Sequence, residues 1–238
     1  YMGCEHLCYY CYVLPQAESD WSKQVFKHED VVTQLTDEIK NIPPQTIYMG
    51  YHTDPYQPCE AEHLQTRKVL ELFQEKGYSA SILTKSDLVV RDIDILTRME
   101  NAAVSVSVAF NDDQTRCLFE ANTMETQKRI EALRILKEAG VRTGAMLCPV
   151  IPFITDAVNL INMLKPYTDV IWIYGLSMID RSGPSWLNVK KILNHHFPDL
   201  AEQIEPIVFS RDHSYWTQLR EELSALKQDT GLNLNIHL

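Results

Sequence analysis

Three of the six cysteines crowd into the first eleven residues, and their spacing is the strongest chemical signal in the chain. They form the run Cys4-Glu-His-Leu-Cys8-Tyr-Tyr-Cys11, whereas the other three are scattered at positions 59, 117 and 148. A secreted disulfide scaffold distributes an even set of cysteines over a short chain. One tight triplet in a mid-sized acidic chain indicates metal ligation instead.

The identity of the metal depends on what completes the site. A structural zinc site needs four Cys or His ligands, commonly as two separated pairs, and no second pair follows the triplet. Three thiolates without a fourth protein ligand suit a cubane 4Fe-4S cluster whose fourth iron is open to an exogenous ligand. Such an open iron implies chemistry. The alternatives are a zinc ion with His6 or His28 as fourth ligand, and thiols that cluster without a metal.

The composition is that of a folded, acidic protein. Of 238 residues, 45% are hydrophobic, which is enough for a sizeable core, and the net charge is −10. Nucleic-acid binding would therefore need a local basic patch. No apolar run approaches the roughly 20 residues of a membrane span and no signal peptide opens the chain, so we expect a soluble, cytoplasmic protein without a membrane partner. Because the chain starts at Tyr1 rather than Met, we also expect further sequence upstream.

The chain alternates between strand and helix patterns. Helical apolar spacing is repeatedly followed by a short β-rich run, which predicts a parallel sheet with helical crossovers. We predict strands over 46–50, 79–84, 102–110, 141–148 and 169–176, and helices over 28–42, 60–76, 90–99, 125–139 and 157–164. Ligands of α/β barrels bind at the carboxyl ends of the strands, so residues just after each strand are candidates for a site.

The tail from about Ser182 has a different pattern. We predict helices over 192–197 and 215–228 that cap the sheet, followed by a weak strand over 232–238. No linker or low-complexity segment separates this tail from the rest. We therefore predict one domain over 1–238, with a barrel core over 1–180 and a helical C-terminal extension over 181–238.

The triplet, with Tyr10 directly before its last cysteine, resembles the cluster loop of the radical S-adenosylmethionine superfamily. Three further motifs are similar to its spore photoproduct lyase-related branch: Thr53-Asp54-Pro55-Tyr56-Gln57-Pro58, Thr84-Lys85 and Cys148-Pro149-Val150-Ile151-Pro152. The resemblance implies an α/β fold, a partial (β/α)6 TIM-like barrel whose first strand would precede Tyr1. It also implies that Cys4, Cys8 and Cys11 hold a 4Fe-4S cluster whose open iron is chelated by S-adenosylmethionine. Reduction of the sulfonium would then yield methionine and a 5′-deoxyadenosyl radical.

The same resemblance implies contacts of several aromatic and polar residues with S-adenosylmethionine. Tyr10 and Tyr12 flank Cys11 and would lie near the adenine, although their role could be only to shield the cluster from water. Thr53 and Asp54 follow the strand at 46–50, where many members of the superfamily bind the methionyl amino group. Their oxygens suit that ammonium group. The alternative for Asp54 is a turn or a cap.

Three residues on the next elements complete the predicted cofactor site. By resemblance, Lys85 and Ser107 would contact the carboxylate or the ribose of S-adenosylmethionine. Their alternatives are a solvated loop lysine and a small core residue. Arg129 matches a position that the branch often fills with arginine, which suits bidentate binding of a carboxylate. Its alternative is an ion pair with Glu125, four residues earlier.

Two residues are candidates for hydrogen-atom transfer. Cys148 ends a predicted strand at the mouth of the barrel and could donate a hydrogen atom to a substrate radical, or could be a small buried hydrophobe. Photoproduct lyase carries its donor cysteine in a Ser-Cys-Thr-Ser-Asp pattern, and counting back from Asp54 places Tyr51 at that cysteine. Tyr51 could relay a hydrogen atom. This departure and the acidic charge both disfavour thymine-dimer repair.

These observations predict a radical S-adenosylmethionine enzyme, a lyase or another class, that abstracts hydrogen from an unassigned substrate. Its partners would be S-adenosylmethionine as cosubstrate and an electron donor such as flavodoxin or ferredoxin. One rival hypothesis is a nucleic-acid repair lyase in which Lys190, Lys191, His195 and His196 form a basic patch on the cap. The other is a non-catalytic zinc or electron-transfer protein, which would not turn over S-adenosylmethionine.

Overall fold

The computed structural model describes residues 1–17 and 20–238 and contains a six-stranded parallel sheet. Hydrogen bonds connect the strands in chain order, and every neighbouring pair is parallel. The strands are β1 (Thr46–Met49), β2 (Ser79–Thr84), β3 (Ala103–Ser107), β4 (Arg142–Val150), β5 (Val170–Gly175) and β6 (Leu234–His237). The predicted α/β fold with a parallel sheet is confirmed. The sixth strand of this sheet is the weakly predicted C-terminal one, and the strand expected before Tyr1 lies outside the described chain.

Helices connect successive strands and account for the parallel order. They are α1 (Val31–Ile39), α2 (Glu60–His63), α3 (Gln65–Glu75), α4 (Ile93–Leu96), α5 (Asp113–Phe119), α6 (Thr126–Glu138), α7 (Ala157–Leu164), α8 (Pro184–His196), α9 (Pro198–Val208) and α10 (Ser214–Thr230). Short 3-10 turns lie at Leu14–Gln16, Asp87–Asp92 and Lys165–Tyr167.

Several helices differ from the sequence prediction. The helix predicted over 60–76 is divided into α2 and α3, because Leu64 adopts a left-handed conformation with φ 54°. The helix predicted over 90–99 is a 3-10 turn followed by the short α4. Two helices, α5 and α9, were not predicted. Helix α9 contains Pro206, and a proline inside a helix normally breaks it. Pro198, by contrast, lies at the start of α9, where proline is favourable.

The two faces of the sheet have different environments. One face packs against the helices through buried residues such as Val104, Ala145 and Ile171. The other face includes half-buried and exposed side chains, such as Tyr48 on β1 and Tyr174 on β5. Burial, then the neighbouring Tyr174 and Cys148, raise the pKa of Tyr48. Because β1 and β5 are not paired, this proximity indicates that the sheet is curved with the second face inside, as in a partial barrel.

The C-terminal extension divides into two parts. Helices α8 and α9 pack over residues that follow the strands, in a second buried cluster that includes Phe110, Phe119, Trp186 and Ile204. Helix α10 instead joins the main core through Trp216 and Leu223, and leads into β6. The extension therefore both caps the sheet and supplies its last strand. No helix in ranges 1–17 and 20–238 is both long and apolar enough to cross a bilayer.

Candidate active site

The cysteine loop lies beside the carboxyl ends of the strands and is tied to three separate segments. Cys4 N–H donates a hydrogen bond to Trp21 O at 2.9 Å. Cys8 forms an antiparallel bridge with Glu120, the residue after α5. Ser185 Oγ, in the first turn of α8, donates to Cys11 O at 2.7 Å. The fold therefore positions the main chain of each cysteine independently.

The three thiols are unpaired by disulfides and half-buried. Burial raises the pKa of Cys4 to about 11. Burial and the charge of Glu120 raise the pKa of Cys8, while the charge of Lys85 acts against them. The charges of Cys4 and Cys11 also act on Cys8. Across the two described ranges, no three His, Cys, Asp or Glu side chains are already arranged as a metal site.

The two histidines considered as zinc ligands lie in other environments. His6 is buried, with Nε2 at 3.0 Å from Asp54 Oδ2, although the two atoms are not in line for a hydrogen bond. Its Nδ1 lies 3.5 Å from Asn122 O. His28 is exposed. Both ring nitrogens of His6 thus face protein oxygens, which favours a three-thiolate site over a zinc site.

The segment after β1 clamps the cysteine loop. Thr53 Oγ1 donates to Gly3 O at 2.6 Å and accepts from Gln57 Nε2 at 2.9 Å. Gln57 is fully buried and also accepts from Glu5 N–H at 2.9 Å. In this structure the predicted ammonium ligand Thr53 therefore holds the cysteine loop in place.

Asp54 joins the carboxyl ends of β1 and β2. Its Oδ1 accepts from Tyr56 N–H at 2.8 Å and from Thr84 Oγ1 at 2.7 Å, and its Oδ2 accepts from Lys85 N–H at 2.7 Å. Burial would raise the pKa of Asp54, but His6 and the hydrogen bonds from Thr84 and Lys85 bring it below its ordinary value. These contacts correspond to the turn that the sequence left open as the alternative. Binding of the methionyl ammonium by Asp54 stays a prediction.

Lys85, Ser107 and Arg129 lie close together in the structure. Lys85 Nζ lies 2.7 Å from Ser107 Oγ and 3.1 Å from Glu120 Oε1. It also lies 5.7 Å from the centroid of the Tyr10 ring, which is the range of a cation–π contact. Its side chain is 17% exposed, so Lys85 can still reach a ligand.

Arg129 is fully occupied by protein groups. Its Nη1 donates to Ser107 O at 2.8 Å, its Nε donates to Met124 O at 2.7 Å, and its Nη2 lies 2.6 Å from Glu120 Oε2. Its ion-pair partner is therefore Glu120 rather than Glu125. Direct binding of the cofactor carboxylate by Arg129 stays a prediction.

Glu120 is the functional candidate that sequence reasoning missed. Its side chain is fully buried and accepts from the Tyr10 hydroxyl and from Thr123 Oγ1, besides contacting Lys85 and Arg129. Burial would raise the pKa of Glu120, but the charges of Arg129 and Lys85 hold it well below its ordinary value. The sequence carries no signal for this role, because Glu120 follows the unpredicted helix α5.

Cys148 lies on the inner face of the sheet, half-buried near the end of β4. Burial raises the pKa of Cys148, against the positive charge of Lys85. Its own charge contributes to the raised pKa of Tyr10 and of Tyr174. The thiol therefore lies in the same region of the inner face as Tyr10 and Tyr174.

Tyr12 and Tyr51 form an exposed pair at the rim of the site. The Tyr12 hydroxyl donates to Tyr51 O, and the two rings lie edge to face with centroids 6.1 Å apart. Burial raises the pKa of Tyr12 to about 12, with smaller contributions from Tyr51 and Cys11. Tyr51 is 67% exposed, so its side chain is accessible to a substrate.

The proposed basic patch lies on the outer face of α8. Lys190, Lys191 and His195 line an open groove of about 600 Å³. Lys190 Nζ is paired with Glu205 at 2.8 Å, and Glu205 also pairs with Arg181. Glu205 therefore offsets one of the three cations Arg181, Lys190 and Lys191, and the nucleic-acid hypothesis stays a prediction.

Comparison with known sequences identifies a family and uncharacterised relatives. The family model described as the radical SAM superfamily matches residues 1–164. An uncharacterised protein of Methanocaldococcus jannaschii is 31% identical over 209 residues, which cover 86% of this chain and 77% of that protein. An uncharacterised protein of Mycobacterium bovis is 28% identical over 176 residues, which cover 69% of this chain and 52% of that protein. The match thus spans about half the length of the mycobacterial relative.

Two solved structures have a similar fold. Spore photoproduct lyase complexed with dinucleoside spore photoproduct superposes with a TM-score of 0.56 at 19% identity, over 83% of this chain and 59% of that chain. SuiB of Streptococcus suis bound to S-adenosylmethionine superposes with a TM-score of 0.60 at 12% identity, over 98% of this chain and 44% of that chain. At these identities the likeness establishes the fold alone.

Proposed function

The chain belongs to the radical S-adenosylmethionine superfamily, and from that premise we propose that it is an enzyme that uses a 4Fe-4S cluster and S-adenosylmethionine to abstract hydrogen from its substrate. The observation that carries this proposal is the placement of the cysteine triplet. Cys4, Cys8 and Cys11 lie on one loop beside a group of charged residues, while the ring nitrogens of His6 face Asp54 and Asn122 and His28 is exposed.

The donor set fits the cluster. Three thiolates would hold three irons, and the net positive charge of Lys85, Arg129 and Glu120 would offset the negative charge of the ligands. When bound, the cluster and S-adenosylmethionine supply a one-electron cleavage of the sulfonium to methionine and a 5′-deoxyadenosyl radical.

The residues of the chain would bind and orient the cofactor. Ser107 and Glu120 hold the Lys85 ammonium in one position, and the side chain is 17% exposed, so it is suited to the methionyl carboxylate. The Tyr10 hydroxyl donates a hydrogen bond to Glu120, which fixes the ring, and the ring would pack against the adenine. Thr53 and Asp54 keep the cysteine loop in register with the carboxyl ends of β1 and β2.

In this proposal, a residue on or beside the inner face of the sheet transfers a hydrogen atom to the product radical. Cys148 carries a half-buried thiol there, and Tyr51 presents an exposed phenol at the rim. A solved neighbour holds a dinucleoside spore photoproduct. We do not assign that substrate to this chain, because Tyr51 occupies the position where the resemblance places the donor cysteine of photoproduct lyase. The partners in this proposal are S-adenosylmethionine and a cytoplasmic one-electron donor such as flavodoxin or ferredoxin.

The test is formation of 5′-deoxyadenosine by the anaerobically reconstituted protein with dithionite and S-adenosylmethionine. Cys8→Ala is the informative variant, and Cys117→Ala is the matched control because that exposed cysteine lies outside the triplet. We expect the nucleoside from the unmodified protein and from Cys117→Ala, and none from Cys8→Ala. Equal amounts in all three proteins, or zinc as the only bound metal, would contradict the proposal.

A further inference from the structure

A buried group of three charged residues lies next to Cys8 with one net positive charge. Glu120 is fully buried, Arg129 is 1% exposed, and both contact one another at 2.6 Å. Lys85 lies 3.1 Å from the other oxygen of Glu120. Arg116 lies nearby but is balanced by Asp113 at 2.7 Å. One carboxylate therefore serves two cations, although burying an unbalanced charge is costly.

The position of Glu120 couples this charge to the cysteine loop. Its main chain pairs with Cys8, and Tyr9 N–H next to it donates to Phe119 O at 2.9 Å. Lys85 is joined to this residue through its contact with Glu120 Oε1, so both charges lie on groups tied to the same loop. Because Glu120 is buried and its main chain pairs with Cys8, solvent screens its charge only weakly at this loop.

We propose that Glu120 is a positioning residue that sets the net charge beside Cys8, and thereby the reduction potential of the cluster that the three cysteines would hold. The inference rests on the proposed function. Reduction adds one electron, supplied by an external one-electron donor, and one negative charge to the cluster, without moving a proton in this group. Positive charge nearby therefore favours the reduced form, and negative charge disfavours it.

Four proteins form a charge cycle that isolates this effect. The wild-type group has a net charge of +1, Glu120→Gln makes it +2, Lys85→Met makes it 0, and the double variant returns it to +1. Each reconstituted protein is titrated without S-adenosylmethionine, so the predicted contact of Lys85 with the cofactor does not enter. Glu131→Gln is the matched control, because Glu131 makes an exposed ion pair with Arg134 on the same helix.

The two single variants should move the potential in opposite directions. At the midpoint potential of the wild-type protein, we expect the ratio of reduced to oxidised cluster to rise roughly tenfold in Glu120→Gln and to fall roughly tenfold in Lys85→Met. Each change corresponds to about 59 mV for a one-electron couple. The double variant should return to the wild-type value, and Glu131→Gln should not depart from it.

The outcomes separate this inference from the proposed function. If the wild-type protein forms no 4Fe-4S cluster, the proposed function fails and the inference with it. If the cluster forms but both single variants shift in the same direction, or neither shifts beyond Glu131→Gln, only the inference is overturned. If Glu120→Gln does not fold, which circular dichroism would show, Lys85→Met is compared with the double variant, because these two proteins differ only by the negative charge of Glu120. An equal potential in those two proteins would then refute the role of Glu120.

Discussion

Replacing Arg129 with methionine is expected to destabilise the fold strongly, because it removes one partner of a fully buried ion pair. The guanidinium contacts Glu120 Oε2 at 2.6 Å and donates to the carbonyl oxygens of Ser107 and Met124 at 2.8 and 2.7 Å. Methionine fills much of the same volume but provides no donor. Glu120 and the carbonyl oxygens of Ser107 and Met124 would therefore lose this donor.

The magnitude follows from the burial of the pair. Breaking a buried ion pair by removing one partner costs about 3–5 kcal/mol. Lys85 and the Tyr10 hydroxyl still serve Glu120 in the variant, which favours the lower end of that range. For a chain of 238 residues, about 3–5 kcal/mol corresponds to a fall in Tm of about 6–20 °C.

Urea unfolding followed by far-UV circular dichroism measures this loss directly, with Tm as a second readout. Arg134→Met is the matched control, since Arg134 lies on the same helix and pairs with the exposed Glu131 and Glu138. The control is expected to unfold at nearly the wild-type urea concentration, because exposed pairs contribute little. If Arg129→Met were no less stable than Arg134→Met, the description of a tightly paired, buried Arg129 would be wrong.

Three further changes test other parts of the structure. Gln57→Leu should weaken iron retention after reconstitution and lower stability by about 1–3 kcal/mol, because buried main-chain groups of the cysteine loop lose their hydrogen-bond partner. The measurement is the iron content of wild type and variant after the same chelator treatment. Equal iron contents would contradict a role of Gln57 in holding the cysteine loop. Gly50→Ala should lower Tm, because Gly50 has φ +105° and a Cβ would lie 2.3 Å from Leu83 O; an unchanged Tm would contradict this geometry. Partial burial would raise the pKa of Asp169, but the hydrogen bonds from Lys137 and from a main-chain N–H lower it below its ordinary value. The stability that ionised Asp169 contributes is therefore complete above an ordinary pKa of about 3.9, and it is lost as the pH falls through the lower pKa of the folded state. Asp169→Asn should then be destabilising at neutral pH but not in strong acid. Urea unfolding of wild type and variant from neutral to strongly acidic pH measures this difference.

The sheet could be predicted from the sequence because its strands and crossovers carry clear periodicity. The predicted bounds of α7, 157–164, match the structure, since Asp156 caps its first turn by accepting from Asn159 N–H at 2.9 Å. The missed helix α5 is only seven residues long, too short for a periodic pattern to emerge. Its end nevertheless decides where Glu120 lies.

Sequence patterns single out candidate site residues only where those residues belong to a local motif or follow a predicted strand. Spacing and resemblance single out the three cysteines, and the rule that parallel strands end at one edge explains why Lys85 and Ser107 lie near each other. The partner of Arg129 could not be predicted, because nine residues separate it from Glu120 and the helix pattern suggested Glu125 instead. Buried charge pairs of this kind depend on tertiary packing, which a single sequence does not encode in a local pattern.

The most direct test of the central claim is the electron paramagnetic resonance spectrum of the reduced, reconstituted protein with and without S-adenosylmethionine. We predict a 4Fe-4S signal that changes when S-adenosylmethionine is added, because one iron is open to that ligand. Cys117→Ala should give the same change, and Cys4→Ala should give no such cluster. A 4Fe-4S signal that stays identical on addition of saturating S-adenosylmethionine, or one that persists in Cys4→Ala, would contradict a cluster that the three cysteines hold with one iron open to S-adenosylmethionine.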